Sequence, residues 1–124
     1  MTQEEIWQRV GEITTNYSLL ECKECAVAIA QWLEGSGQVY GTILRIQARG
    51  VGKFFILSNR YGDNESITRN GKHYGVEVIG KVFDNLSIQG LTREEWISDF
   101  SCPSGQFTVE EVSLSSLTSI EEPS

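Results

Sequence analysis

The residues best suited to chemistry in this chain are two cysteines, Cys22 and Cys25, in the stretch CKEC, and the single histidine, His73. A cysteine becomes a nucleophile when its thiolate is stabilised, as at a helix N-terminus or beside an imidazolium. It also needs a base within hydrogen-bond reach and a third group that orients this base. The same residue types are also compatible with a metal-binding site, a redox-active cysteine pair or simple packing in the core.

The order of the candidate residues is compatible with a nucleophile, a base and an orienting acid. Cys22 falls at the start of a predicted helix. His73 opens one predicted strand and Asp84 lies in the next, with Gly80 and Lys81 as the turn of a hairpin. We therefore expect His73 and Asp84 near the same end of that hairpin, where a carboxylate accepts the imidazole N–H.

Hydrophobic periodicity predicts the elements that position these residues. The predicted helices lie at 3–17, from 18–22 to 34, and at 91–100. The predicted strands lie at 38–48, 54–58, 73–79, 82–86 and 106–114. Capping boxes are predicted for the first and last helices, with Thr2 and Glu5 in one and Thr92 and Glu95 in the other. This order predicts an α+β fold, with N-terminal helices packed on an antiparallel β-sheet.

The composition narrows the class of protein. The chain has 124 residues, 40% of them hydrophobic, and we expect one domain at 1–114 followed by a polar, frayed tail at 115–124. Its net charge of −7 has the wrong sign for binding the phosphate backbone of a nucleic acid. An odd number of cysteines argues against a secreted disulfide framework. No apolar run suits a membrane span and the N-terminus is no signal peptide, so a cytoplasmic location is expected.

One stretch, HYGVEVIGKVFDN, carries a family resemblance, supported by CKECAVAIAQWL before it and EEWISDF after it. Over roughly residues 15–112 the chain resembles the papain-like superfamily, and most of all the second family of papain-fold toxin domains from bacterial polymorphic toxin systems. It is also similar to the transglutaminase core. The resemblance implies a minimal papain-like fold, a helix-borne cysteine nucleophile, His73 as base and Asp84 as orienting residue. It further implies acyl transfer on an amide: proteolysis, deamidation or transamidation.

Either cysteine of the pair can be the nucleophile. The transglutaminase-like pattern has a small residue soon after the nucleophile and a glycine-marked break further on, which Cys22 meets with Ala26 and Gly37. Cys25 meets the papain-like preference for small residues with Ala26 and Ala28. Helix position favours Cys22, because free backbone N–H groups lie in the first turn.

An oxyanion donor is the remaining requirement of this chemistry. Papain-like enzymes place a glutamine a few residues before the nucleophile. Here only Asn16 is placed similarly, six residues before Cys22. The backbone N–H of Cys22 is the other candidate.

Zinc is the strongest rival mechanism. Cys22, Cys25, Cys102 and His73 would form a Cys₃His set, which suits structural zinc. Against this, the chain has only one C-x₂-C pair, and the other two ligands are isolated. A thioredoxin-like redox pair needs a preceding strand, whereas two predicted helices come first here.

The sequence thus predicts a cysteine-dependent enzyme that processes an amide on a protein target and serves as a bacterial toxin or effector domain. We expect no cofactor and no metal, no nucleic-acid or membrane partner, and a cognate immunity protein as a further partner. The alternatives are a catalytically inactive papain-like binding module and a small zinc-stabilised adaptor. Trp7, Trp32 and Trp96 fall on the three predicted helices and are interpreted as packing anchors.

Overall fold

A computed structural model describes residues 1–37, 39–62 and 65–118 of the chain. Within these residues, two helices come first and strands with two short helices follow. The helices are α1 (Gln3–Thr14), α2 (Cys22–Ser36), α3 (Arg93–Ser98) and α4 (Leu114–Leu117). The strands are β1 (Thr42–Ala48), β2 (Leu57–Ser58), β3 (Lys72–Val78), β4 (Lys81–Asp84), β5 (Ser87–Leu91), β6 (Phe100–Ser101) and β7 (Phe107–Val112).

Five of the strands form one antiparallel sheet in the order β5-β4-β3-β1-β7, while β2 pairs with β6 in a separate ladder. Helices α1, α2 and α4 contribute to a core cluster on one face of the large sheet. Helix α3 contributes Trp96 to a second cluster on the other face. The predicted α+β class, with helices on an antiparallel sheet, is confirmed.

The two clusters are separated by the alternation of side chains along the strands. The helical cluster includes Ile6, Val10, Ala26, Ile29, Leu33, Tyr74, Val76, Val78 and Phe83. The opposite cluster includes Leu44, Ile46, Ile56, Ile67, Val82, Trp96 and Phe100. Full burial of one such aliphatic or aromatic side chain contributes about 1.5–3 kcal/mol, so each cluster anchors the elements that it joins.

The hairpin of β3 and β4 places His73 and Asp84 on the same face of the sheet. Val76 pairs with Phe83, and both side chains belong to the helical cluster. His73 is three residues from Val76 and Asp84 is one residue from Phe83, so both point to the opposite face. The hairpin therefore brings the imidazole and the carboxylate to the side of the sheet that α3 covers.

The helix ends follow the predicted capping signals. Thr2 accepts a hydrogen bond from the backbone of Glu5, and the Glu5 carboxylate accepts one from the backbone of Thr2. The same box caps α3 through Thr92 and Glu95. Gly37 ends α2 in the left-handed conformation, with φ 65°. No helix in the described part of the chain is long and apolar enough to cross a membrane.

The predicted buried strand at 54–58 is wrong in most of its length. Only Leu57 and Ser58 form a strand, and Phe54 and Phe55 are 54% and 53% exposed. Phe55 instead closes a turn, donating its N–H to the carbonyl of Gly52 at 3.0 Å. A short apolar run has no periodicity that distinguishes a buried strand from an exposed turn.

The other differences concern the position of one turn and short elements that the sequence does not predict. The turn between β3 and β4 is at Ile79 and Gly80, with φ of 48° and 83°, one residue before the predicted position. Strand β5 was not predicted. Helix α4 buries Leu117 against the helical cluster, while residues 119–124 of the predicted tail lie outside the described part of the chain. The predicted boundary at residue 114 stays a prediction.

Two helical glycines give a matched test of this packing. A Cβ at Gly11 would overlap the carbonyl oxygen of Ile88 in β5, whereas a Cβ at Gly35 would meet nothing within 4 Å. Alanine gains about 1 kcal/mol over glycine in a helix. We expect Gly35→Ala to raise the free energy of unfolding by about 0.5–1 kcal/mol. Gly11→Ala should lower it by about 1–3 kcal/mol, because β5 must move.

Urea denaturation of the two variants beside the wild type measures both effects. Equal stabilisation by both substitutions would show that α1 does not lie against β5 as described.

Candidate active site

Cys22 is the first residue of α2, where backbone N–H groups have no partner within the helix. The N-cap residue, Glu21, makes no hydrogen bond to these groups with its side chain. It accepts instead from the backbone and the hydroxyl of Ser18, both at 2.8 Å. The uncapped N-terminus of α2 therefore leaves its partial positive charge available to an anion at Cys22.

Leu20, in the loop before α2, has an uncommon backbone conformation. Leu20 has a φ of 76°, which is costly for a residue with a branched side chain. Asn85, at the end of β4, donates to the carbonyl of Ser18 at 2.8 Å and so ties the same loop to the hairpin. These contacts fix the start of α2, and with it Cys22, relative to β3 and β4.

His73 is completely buried and hydrogen-bonded to Asp84, with 2.9 Å between Nε2 and Oδ2. Its ring lies among aromatic side chains. The ring centroid of Phe100 is 5.0 Å away and that of Trp96 is 6.1 Å away. These rings exclude water from the histidine and limit the orientations of its imidazole.

Asp84 accepts hydrogen bonds from four residues. Its Oδ2 accepts from His73, from the indole N–H of Trp96 at 2.8 Å and from Nη2 of Arg60 at 2.8 Å. Its Oδ1 accepts from Nη1 of Arg60 at 2.8 Å and from the backbone of Leu86 at 3.1 Å. Burial acts to raise the pKa of Asp84, but the hydrogen bonds and charges of His73 and Arg60 outweigh it and hold that pKa far below its usual range.

The ionised state of Asp84 determines the tautomer of His73. A carboxylate only accepts hydrogen bonds, so Nε2 of His73 must carry the hydrogen that Asp84 receives. In the neutral imidazole, Nδ1 is then the basic nitrogen. This nitrogen is buried and has no hydrogen-bond partner of ordinary geometry among the described residues.

The thiol of Cys22 acts on the imidazole of His73. Burial acts to lower the pKa of His73, but the charge of Cys22, the bond to Asp84 and the interaction with the Cys22 thiol together raise it to about 9. The sulfur lies 3.9 Å from the carbonyl oxygen of Lys72, the residue before His73. Cys22 and His73 therefore interact without a well-formed hydrogen bond at Nδ1.

Cys22 and His73 approach each other from opposite sides of the sheet. Cys22 belongs to the helical cluster, whereas the face that carries His73 is covered by Trp96. They meet beside Lys72, the first residue of β3, where the sheet ends.

A cavity of about 310 Å³ opens beside Cys22. Its lining combines apolar, hydroxyl and charged side chains: Leu20, Cys22, Glu24, Ile67, Thr68 and Arg69. Residues 67–69 belong to the segment between β2 and β3. Cys22 therefore lines a cavity, although the residue as a whole is only 2% exposed.

The other sequence candidates lie elsewhere. Cys25 is fully buried and does not line the cavity, and burial first, then nearby negative charges, raises its pKa to about 12. Asn16 is exposed after the end of α1 and does not line the cavity either. The thiol of Cys102 donates to the carbonyl of Gln106 at 3.1 Å. The described residues contain no group of three metal-ligating side chains, so the Cys₃His set is not assembled.

Sequence reasoning missed Arg60 and Asp99 and assigned Trp96 to packing alone. Trp96 does pack in the core, but it also donates to Asp84. Arg60 and Asp99 are ordinary residues of a polar loop and a helix end in the sequence. The only available signal was that a buried Asp84 requires a nearby cation.

The pH dependence of stability tests these pKa shifts. The pKa of His73 is about 9 in the folded chain, against an ordinary value of 6.5. Between pH 6.5 and 9, the folded chain therefore keeps a proton on His73 that the unfolded chain has lost. Its contribution is complete below about pH 6.5 and is lost as the pH rises through about 9, with a fall of about 1–3 kcal/mol in the free energy of unfolding. Asp84 acts oppositely, since its stabilisation is present above about pH 4 and is lost in acid.

Urea denaturation from about pH 5 to pH 10 measures this loss, and His73→Gln should remove the fall between pH 6.5 and 9. A wild-type stability that stays constant across that window would contradict the raised pKa of His73.

A comparison with protein families gives a match over most of the chain. A family model described as papain fold toxin 2 matches residues 5–101, a range that begins in α1 and ends in β6. No curated protein and no solved structure gives a significant match. The matched range includes the start of α2, the β3–β4 hairpin and α3, which are the elements that carry Cys22, His73, Asp84 and Trp96. With its α+β architecture and this match, the chain belongs to the papain fold toxin 2 family.

Proposed function

We propose that this chain is a cysteine-dependent enzyme that processes an amide on a protein target, as a toxin or effector domain. The observation that carries the proposal is the convergence of Cys22, His73 and Asp84 beside a cavity. The nucleophile, the base and the orienting carboxylate come from three different elements. Membership of a papain fold toxin family supports the same conclusion.

In the proposed reaction, the sulfur of Cys22 attacks the carbonyl carbon of a peptide bond or a side-chain carboxamide. Its proton already resides on Nδ1 of His73, in line with the raised pKa of His73, and the imidazolium then gives that proton to the departing amine or ammonia. The carbonyl carbon remains bound to sulfur as a thioester. Water releases it as an acid, or an acceptor amine releases it as a new amide. Asp84 holds Nε2–H throughout and stabilises the imidazolium.

The tetrahedral intermediate needs a donor for its negative oxygen. The backbone N–H of Cys22 is our candidate, because it lies at the first position of α2 and has no acceptor within the helix. Such a donor often contributes about 3 kcal/mol to catalysis. Asn16 would have to move to serve this role, since it does not line the cavity.

A binding module without activity is the second candidate. Two observations favour it: Cys22 is only 2% exposed, and Nδ1 of His73 lacks a well-formed hydrogen bond. A protein target, a cognate immunity protein and action in the cytosol of a target cell remain proposals that follow from the toxin role. The acidic net charge of −7 favours a target with basic features over a nucleic acid.

The alkylation rates of the cysteines distinguish a cysteine-dependent enzyme from an inactive binding module. At about pH 7, Cys22 should react with iodoacetamide at least about tenfold faster than Cys25 or Cys102, because it alone of the three lines the cavity and interacts with His73. His73→Ala should remove that advantage. Rates are read for each cysteine by mass spectrometry of digested samples.

Cys25→Ala is the matched control, because it alters the neighbouring turn of α2 and should leave the rate at Cys22 unchanged. Fast reaction at Cys25 in place of Cys22 would show that the nucleophile is Cys25, three residues further along α2. If no cysteine depends on His73, the enzyme proposal fails and the binding module is preferred.

A further inference from the structure

Arg60 joins two buried carboxylates. Its Nη1 and Nη2 each donate to Asp84 at 2.8 Å, and its Nε donates to Asp99 at 3.0 Å. The side chains of Arg60, Asp84 and Asp99 are 17%, 0% and 7% exposed. The guanidinium is therefore held on two edges in a site with little water.

Asp99 is itself fixed by its surroundings. Its Oδ1 accepts from the backbone N–H of Arg60 at 3.0 Å, and its Oδ2 accepts from the hydroxyl of Ser58. Its carbonyl oxygen accepts from the backbone of Asn59 at 3.0 Å. Asp99, at the end of α3, thus anchors both the backbone and the side chain of Arg60.

The planar fork of an arginine matches both oxygens of a carboxylate and fixes their plane. Both oxygens of Asp84 are held in this way, so Oδ2 cannot rotate away from His73. Arg60 also brings one positive charge close to both buried carboxylates.

We propose that Arg60, anchored by Asp99, is the positioning residue that fixes the Asp84 carboxylate against His73 and sets how strongly His73 holds its proton. This inference deepens the proposed function, since it rests on His73 as the base. The guanidinium withdraws part of the negative charge that Asp84 presents to the imidazole. His73 is thereby left able to give up the proton that it receives from Cys22.

The signs of the effects follow from the charges around His73. Cys22 from α2 and Asp84 from β4 act on His73 directly. Arg60, from the loop after β2, is bound to Asp84, and Asp99, from the end of α3, is bound to Arg60. Loss of the positive charge at Arg60 should strengthen the hold of His73 on its proton. Asp99→Asn keeps an oxygen to accept from the backbone N–H of Arg60 but removes the charge that competes with Asp84 for the guanidinium, so it should weaken that hold.

The experiment is an NMR titration of the imidazole, which is unambiguous because the chain has one histidine. It is made in a Cys22→Ala background, so that no thiolate contributes. Arg60→Gln should raise the midpoint by about one pH unit, and Asp99→Asn should lower it. Arg60→Lys is the matched control, since it keeps the charge and should keep the midpoint near that of the background.

Shifts in the same direction for Arg60→Gln and Asp99→Asn, or no shift in either, would overturn the proposal, because a purely structural role has no charge-dependent sign. If Arg60→Gln does not fold, Asp99→Asn decides alone: a lower midpoint supports the role and an unchanged one refutes it. The titration does not require a reactive Cys22. A failed alkylation test with the predicted shifts would thus refute the enzyme and keep the effect of Arg60 on His73.

Discussion

The buried charge of Asp84 is the constraint on which the rest of the structure depends. A carboxylate without solvent must be fully hydrogen-bonded and paired with a cation, or it loses its charge. Its donors come from β3, α3, the turn before β5 and the loop after β2. One side chain therefore ties together four parts of the chain, and each of them also shapes the surroundings of His73.

The two cysteines of α2 show how strongly position controls chemistry. They are separated by less than one helical turn, yet only Cys22 lines the cavity and interacts with His73. Cys25 is enclosed by the core, and its pKa rises to about 12. The difference arises because the two side chains project from α2 in different directions: Cys22 lines the cavity, whereas Cys25 is fully buried. Cys25 packs as a small hydrophobic residue, which is the usual role of a buried free cysteine.

The wall of the cavity and the hydrogen-bond network share one segment. The chain between β2 and β3 supplies Arg60 to the carboxylates and residues 67–69 to the cavity. Ile67 also donates its backbone N–H to Ile56 at 2.9 Å, which attaches this wall to the segment before β2. The segment that holds the Asp84 carboxylate therefore also forms part of the cavity wall beside Cys22.

The sequence by itself determined the features that depend on neighbouring residues. The capping boxes at Thr2 and Thr92 and the glycine end of α2 act within a few residues, and periodicity identified α1, α2, α3 and the β3–β4 hairpin, but not α4. Only the tertiary structure decided which cysteine meets His73, that Phe54 and Phe55 are exposed, and that Arg60 and Asp99 complete the network. These depend on pairings between residues far apart in the chain, such as Arg60 with Asp84, for which no local pattern exists. Burial makes such pairings necessary, because a buried charge without a partner strongly destabilises the fold. Which residues are buried is a property of the assembled fold.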